Sequence, residues 1–292
     1  MSPRNPAAAS APPRVLDIRP SAAFRAGHLP GAVGRPVTSP PPGASATEHF
    51  NAAVPSIFLP PREVPLLVVA DDGALATALA AHLEGRGRVP VTGCTPADLP
   101  PGALAERGDA GRHLWEPPAF LAAHADLLPP PALGPVLDLA CGSGRAAVWL
   151  AARGYRVTAV DWQPEALAFG RLLAADLGVE VAWVAADLRR PAAVPSGPWA
   201  VVLDFRFLER GLLARLPDLL LPGGVACVRT FRAAPGYDGH PHPRHRLAPG
   251  ELLGAFPTAT CEILVHEESH DPDGRPAAGV VARRLRRCGS AT

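Results

Sequence analysis

Apolar positions along this chain follow two alternating habits. The continuous apolar run Leu66–Ala70 suits a strand buried on both faces, short mostly apolar runs such as Val136–Leu139 and Ala200–Asp204 suit further strands, and intervening stretches carry apolar residues at helical spacing. The pattern predicts a strand at Val15–Ile18, a helix at Pro20–Ala26, a strand at Leu66–Ala70, a helix at Ala74–Leu83 and a strand at Val89–Thr92. After a helix at Pro118–Leu128 the rhythm repeats. Strands are predicted at Val136–Leu139, Arg156–Val160, Val181–Ala185, Ala200–Asp204 and Gly223–Thr230, with helices at Arg145–Arg153, Pro164–Leu177 and Gly211–Leu220. Residues 259–267 and 278–286 pattern as an antiparallel hairpin across Asp271–Gly274. The fold class is therefore α/β: a small α/β domain, then a doubly wound parallel sheet closed by a C-terminal antiparallel hairpin.

This reading divides the chain into a disordered tail (1–13), a small domain (14–92), a linker (93–113) and a larger domain (114–287). The length of 292 residues suits two domains at about 100–200 residues each. An apolar fraction of 48% with 19% charged residues is that of a globular protein. A formal charge of +1 supplies no global attraction to nucleic acid or anionic membrane, and no uncharged apolar run approaches the roughly 20 residues of a membrane span. All 28 of the Lys and Arg residues are Arg, a coding bias that lowers the weight of any single Arg-rich stretch. The five cysteines are scattered without metal-ligand or disulfide-framework spacing, so reduced thiols in a cytoplasmic protein are expected.

The stretch richest in chemistry is Val136–Asp161, VLDLACGSGRAAVWLAARGYRVTAVD. A strand ends at Asp138–Leu139, Gly142 and Gly144 make a bare-backbone turn, and a helix N-terminus follows with unpaired N–H groups. Asp161 closes the next strand, where a carboxylate can bind two ribose hydroxyls. Gly-x-Gly alone is a weak signal, common in ordinary strand-to-helix turns. Through Ala147 the stretch also fits the dinucleotide fingerprint, so a nicotinamide dinucleotide competes with S-adenosylmethionine (SAM) as ligand. Asp138, ahead of the first glycine, suits a cationic ligand group better than a pyrophosphate.

Asp138-Leu-Ala-Cys-Gly-Ser-Gly144 resembles the first motif of class I SAM-dependent methyltransferases, with Ala140 where many members have glycine. CGSGR followed by RGYRVTAVDW is most similar to the small tellurite-resistance and thiopurine type, and the likeness extends over residues 114–286. It implies that Ala140, Gly142 and Gly144 line the methionine part of the cofactor, with Asp138 supporting the loop. By the same resemblance Asp161 holds the ribose, Trp162 flanks the adenine, and Ala186-Asp187-Leu188 lies at the adenine edge, with Asp187 accepting from its amino group. Trp115 is a candidate lid over the cofactor, with domain packing as the alternative. Asp204 and Arg206 are the candidate catalytic pair, with a structural ion pair as the alternative. Asp204-Phe205-Arg206 departs from the D/N-P-P-Y/F motif of nucleic-acid amino-methyltransferases, which argues against a nucleic-acid acceptor.

The loop of residues 232–246 should overhang the substrate, because ligands lie at the carboxyl ends of strands in open α/β sheets. Its His240, His242 and His245 suggest a metal only superficially; the flanking Arg244 and Arg246 disfavour a cation, and no metal is expected. Those two arginines are candidates for gripping an anionic substrate.

In the small domain, Val15-Leu-Asp-Ile-Arg19 followed by Gly27-His-Leu-Pro-Gly-Ala32 resembles the rhodanese-like domain. Aligning Leu66–Val69 with that family's nucleophile strand puts Ala70-Asp71-Asp72-Gly73 where the reactive Cys belongs. Ala70 cannot attack sulfur, and the two carboxylates disfavour a thiolate, so sulfur transfer is not expected. The resemblances together imply a methyltransferase for a small-molecule acceptor, with a soft sulfur, selenium or tellurium nucleophile slightly preferred and an inactive rhodanese-like scaffold that can dock a protein. A macromolecular acceptor, a regulatory SAM-binding protein and an oxidoreductase are the rivals.

Overall fold

The computed structural model describes residues 12–109, 113–271 and 273–286. Most of the expected tail, and Cys288, lie outside the described residues. The chain folds as two compact units that divide between Glu116 and Pro117.

The first unit runs β1 (Arg14–Asp17), α1 (Ser21–Ala26), β2 (Val33–Gly34), α2 (Ala46–Ala53), β3 (Leu66–Val69), α3 (Gly73–Gly85) and β4 (Val91–Cys94). Its four strands are parallel in the order β2-β1-β3-β4. The apolar runs of β1 and β3 form the core with α2 and α3, through Leu16, Val68, Leu79 and Leu83, all fully buried. Helix α2 is additional to the predicted set; Ser45 caps it by accepting from the Glu48 N–H. The expected linker is also corrected. Glu106 pairs in both directions with His28, Gly108 N donates to Arg25 O, and Leu104 O crowds Gly27, so this segment is a strap on the first unit.

The second unit contains α4 (Ala119–Ala123), β5 (Val136–Leu139), α5 (Arg145–Ala151), β6 (Val157–Asp161), α6 (Pro164–Asp176), β7 (Ala182–Ala185), β8 (Trp199–Phe205), α7 (Arg210–Leu213), α8 (Leu216–Leu219), β9 (Leu220–Phe231), α9 (Glu251–Gly254), β10 (Cys261–His270) and β11 (Pro276–Arg284). Its seven strands lie in the order β10-β11-β9-β8-β5-β6-β7. Strands β5 to β9 are parallel, and β11 is antiparallel to both β9 and β10. The predicted helix over 211–220 is two short helices, because Pro217 lacks the N–H and blocks the carbonyl that a continuous helix would need. From β5 the chain proceeds to β6 and β7 on one side, then returns to β8 and β9 on the other. The β5–β8 boundary is thus the topological switch point, where an open α/β sheet presents a crevice.

Candidate cofactor site

The turn from β5 into α5 carries three left-handed residues: Ala140 (φ 49°), Gly142 (φ 52°) and Gly144 (φ 68°). Glycine adopts this region freely, whereas in Ala140 the Cβ crowds the following carbonyl at a cost of about 1–2 kcal/mol. The two glycines differ in surroundings. A side chain at Gly142 would enter open space, while one at Gly144 would meet the indole of Trp183 and the backbone of Gly170. Gly142 is therefore the bare surface that a ligand can approach.

Asp161 ends β6, 7% exposed, and holds this turn from below. Its Oδ2 accepts from Gly142 N at 2.8 Å and its Oδ1 from Gln163 N at 2.9 Å. Each oxygen keeps a further lone pair for a ligand hydroxyl. Trp162, next in sequence, is 64% exposed, which excludes the core-aromatic alternative and leaves a flat apolar face beside the turn.

Two carboxyl groups flank the switch point. Asp138 on β5 and Asp204 on β8 are each 2% exposed. Asp138 receives a backbone hydrogen bond from Ala147, yet its Oδ2, like Asp204 Oδ1, has no hydrogen-bond partner among the described residues. Burial pushes the Asp138 carboxyl up to about 7, against the Ala147 bond and with help from the Asp161 charge. Burial and then the Asp138 charge raise Asp204 well above the usual carboxylate range. Such orphaned oxygens are costly, and a cationic or hydrogen-bond-donating ligand would relieve them. Their chemistry fits the ammonium-bearing end of S-adenosylmethionine, and the open face at Gly142 fits its close approach.

Several expected site residues are placed otherwise. Arg206 (φ 62°) makes no pair with Asp204; it reaches the hairpin turn, at 2.9 Å from Asp271 and 3.3 Å from Asp273. Asp187 is held by Arg189 through both oxygens at 2.9 and 3.0 Å, which lowers its pKa and occupies the edge expected to receive adenine. Leu188 packs in the core beside Leu139 and Val160, so only its backbone is free to face a ligand. Ala186 is half-buried and donates its N–H to Asp161 O at 3.0 Å. Trp115 belongs to the first unit, 1% exposed and stacked on His113 at 3.9 Å.

The 232–246 loop is built around Arg246, which is 5% exposed. Its guanidinium donates to the carbonyls of Pro241, Tyr237 and Gly239. The expected substrate-gripping role of Arg246 is thus corrected: it is an internal strut that no anion can reach without dismantling the loop. Arg244 is exposed and donates from Nε to His245 Nε2 at 2.9 Å. Sequence reasoning missed Trp183 beneath the turn. It also missed the Arg229–Asp271 pair (2.8 Å), which anchors the hairpin turn to β9.

Residues 136–224 match the family described as a methyltransferase domain. The second unit therefore contains a methyltransferase domain of the S-adenosylmethionine-dependent class, and S-adenosylmethionine is its cofactor. Among curated proteins, the ubiquinone biosynthesis O-methyltransferase of Xanthomonas axonopodis is 31% identical over 110 residues, covering 36% of this chain and 46% of that protein. The protein of the same name in Cronobacter sakazakii is 35% identical over 101 residues, covering 33% and 42%. The chain thus spans less than half the length of these relatives. An uncharacterized protein of Schizosaccharomyces pombe is 28% identical, covering 64% of this chain and 68% of its own. Among solved structures, TehB of Haemophilus influenzae aligns with a TM-score of 0.47 at 20% identity, covering 56% of this chain and 60% of its own. An S-adenosylmethionine-dependent methyltransferase of Mesorhizobium loti aligns with 0.44 at 21%, covering 57% and 98%. Among the described residues, no helix is long and apolar enough to cross a membrane.

Proposed function

We propose that this chain methylates a hydroxyl oxygen of a small molecule, using S-adenosylmethionine bound at the β5–α5 turn. The observation that carries the reading is the pair of orphaned carboxyl oxygens, Asp138 Oδ2 and Asp204 Oδ1, at the switch point beside the open face of Gly142. When bound, the cofactor supplies a methyl group already activated on a sulfonium. The protein's part is to hold donor and acceptor in line and exclude water. Gly142 offers approach to the backbone, Asp161 accepts hydroxyl hydrogen bonds, Trp162 offers an apolar face, and Asp138 meets positive charge. Burial and the neighbouring Asp138 charge raise the Asp204 pKa, and a cation nearby would act in the opposite sense; with its own proton passed to solvent, the carboxylate could take the proton that a hydroxyl acceptor releases.

Oxygen is favoured over a soft anion for two reasons. Two of the curated relatives are named as O-methyltransferases, and a carboxylate at the site can serve as proton acceptor for a hydroxyl, a service that an already ionised soft anion does not need. In the first unit, the rhodanese-like pattern supports a non-catalytic scaffold or protein-docking role. By that resemblance Ala70 falls where the nucleophile belongs, and Asp72 caps α3 by accepting from Ala74 N at 2.8 Å. The test is transfer from radiolabelled S-adenosylmethionine to a panel of small phenols, alcohols, thiols and selenols, with a protein extract alongside. Label on a hydroxyl compound is the expected result. Label confined to thiols, selenols or protein overturns the oxygen assignment.

A further inference from the structure

We propose that Trp183 is a positioning residue for the cofactor turn, shaping the Gly142–Gly144 backbone from beneath although it lies on the edge strand β7. The inference rests on the reading of that turn as the S-adenosylmethionine site. Trp183 is in register with Ala159 on β6, and Ala159 with Asp138 on β5, so the three side chains form one row on one face of the sheet. Ala159, fully buried and small, lets the indole lie across the row. The ring then reaches two glycines from different elements. A Cβ at Gly144 in the turn, or at Gly170 in α6, would stand 2.5 Å from Trp183 Cζ3, a separation that real Cβ atoms do not tolerate.

Gly170 lies within the helix interior, where glycine has no conformational advantage and lowers stability by about 1 kcal/mol relative to alanine. Contact with the indole accounts for its presence. Gly144, likewise, is bare toward Trp183. One aromatic ring, two missing side chains and one small residue thus form a wedge that sets the height and tilt of the turn. Gly142 N, two residues before Gly144, is the atom tied to Asp161. A shift of the wedge is felt at the ribose-binding carboxylate through that bond.

The test is calorimetric titration of the full chain with S-adenosylhomocysteine, with circular dichroism and Tm for each variant. Wild type is measured first, and no binding there overturns the cofactor reading itself. Given binding, Trp183→Leu should weaken it about tenfold to a hundredfold with the fold retained, the scale on which displaced binding groups are felt, while Trp183→Phe keeps most of the affinity. Gly170→Ala is the second variant, because its helix should form at least as readily while the added methyl pushes the ring toward the turn. It should also weaken binding, although Gly170 is no part of the turn. Wild-type affinity in folded Trp183→Leu, or in Gly170→Ala should the first variant not fold, overturns the proposal. So does a fall in Tm with unchanged affinity, which marks a purely structural role.

Discussion

The two units each carry a glycine-bearing polar motif at the end of a strand, and the two motifs treat their polar atoms in opposite ways. In the first unit, Asp17 and Arg19 are buried and bonded to each other at 2.7 Å, and the same Arg19 nitrogen donates to Gly27 O at 2.7 Å. His28 is 1% exposed, stacks on Phe24 at 4.0 Å and is hydrogen-bonded to Phe24 O. The group is closed on itself. In the second unit, Asp138 and Asp204 are as deeply buried, yet each has an oxygen without a partner among the described residues. A closed motif shapes a turn; buried acceptors left unmatched call for a partner, and under the proposed function the cofactor supplies it.

The largest effect should come from opening the closed motif. Arg19→Ala leaves Asp17 as an uncompensated buried charge and should cost about 3–5 kcal/mol, read as a lowered denaturation midpoint. A cost under about 1 kcal/mol would mean that the pair is not the anchor of its turn. Next comes Asp161→Ala, which strips Gly142 N and Gln163 N of their acceptor and any ribose hydroxyl of its own. At about 1–3 kcal/mol for each buried group left unmatched, S-adenosylhomocysteine binding should become undetectable by calorimetry. Wild-type affinity there would place the nucleoside elsewhere.

The unmatched carboxyl should also show itself through pH. A folded-state pKa raised from 3.8 to about 7 means that Asp138 favours the native state when protonated, and that this advantage is lost as pH rises through that window. The Tm of Asp138→Asn minus that of wild type, both ligand-free, should therefore climb between pH 4 and about 7 and level off above. A flat difference would indicate a carboxyl with unseen partners. The smallest effect is expected at Ala140→Gly, where release from a left-handed φ outweighs the added chain entropy. A gain of about 0.5–1 kcal/mol in chemical denaturation checks it, and a loss would mean that the methyl packs usefully.

The same contrast explains what the sequence revealed. Strand β5 was legible to the residue, because a short run that is apolar but for Asp138 stops at a turn carrying two glycines. Asp161 was legible as the carboxylate that closes the next strand. Helix α2 carried a readable signal that went unused, the Ser45-x-x-Glu48 cap, and Pro217 likewise announced the break in the helix before β9. The contacts that were not legible join distant segments. Arg206 finds its partners in the hairpin turn, Asp187 is taken by Arg189, and Arg246 turns inward to carbonyls of its own loop. Gly144 was legible for its left-handed φ, whereas the indole that its missing Cβ accommodates was not, since only the strand register brings Trp183 beneath it.

Most direct of all would be a crystal structure of the full chain with S-adenosylhomocysteine. The ligand is expected against Gly142, with its hydroxyls on Asp161 and its ammonium, or a water held by it, donating to Asp138 Oδ2 or Asp204 Oδ1. A ligand bound elsewhere, or one seated at the turn while both oxygens stay unmatched, would contradict the proposed site.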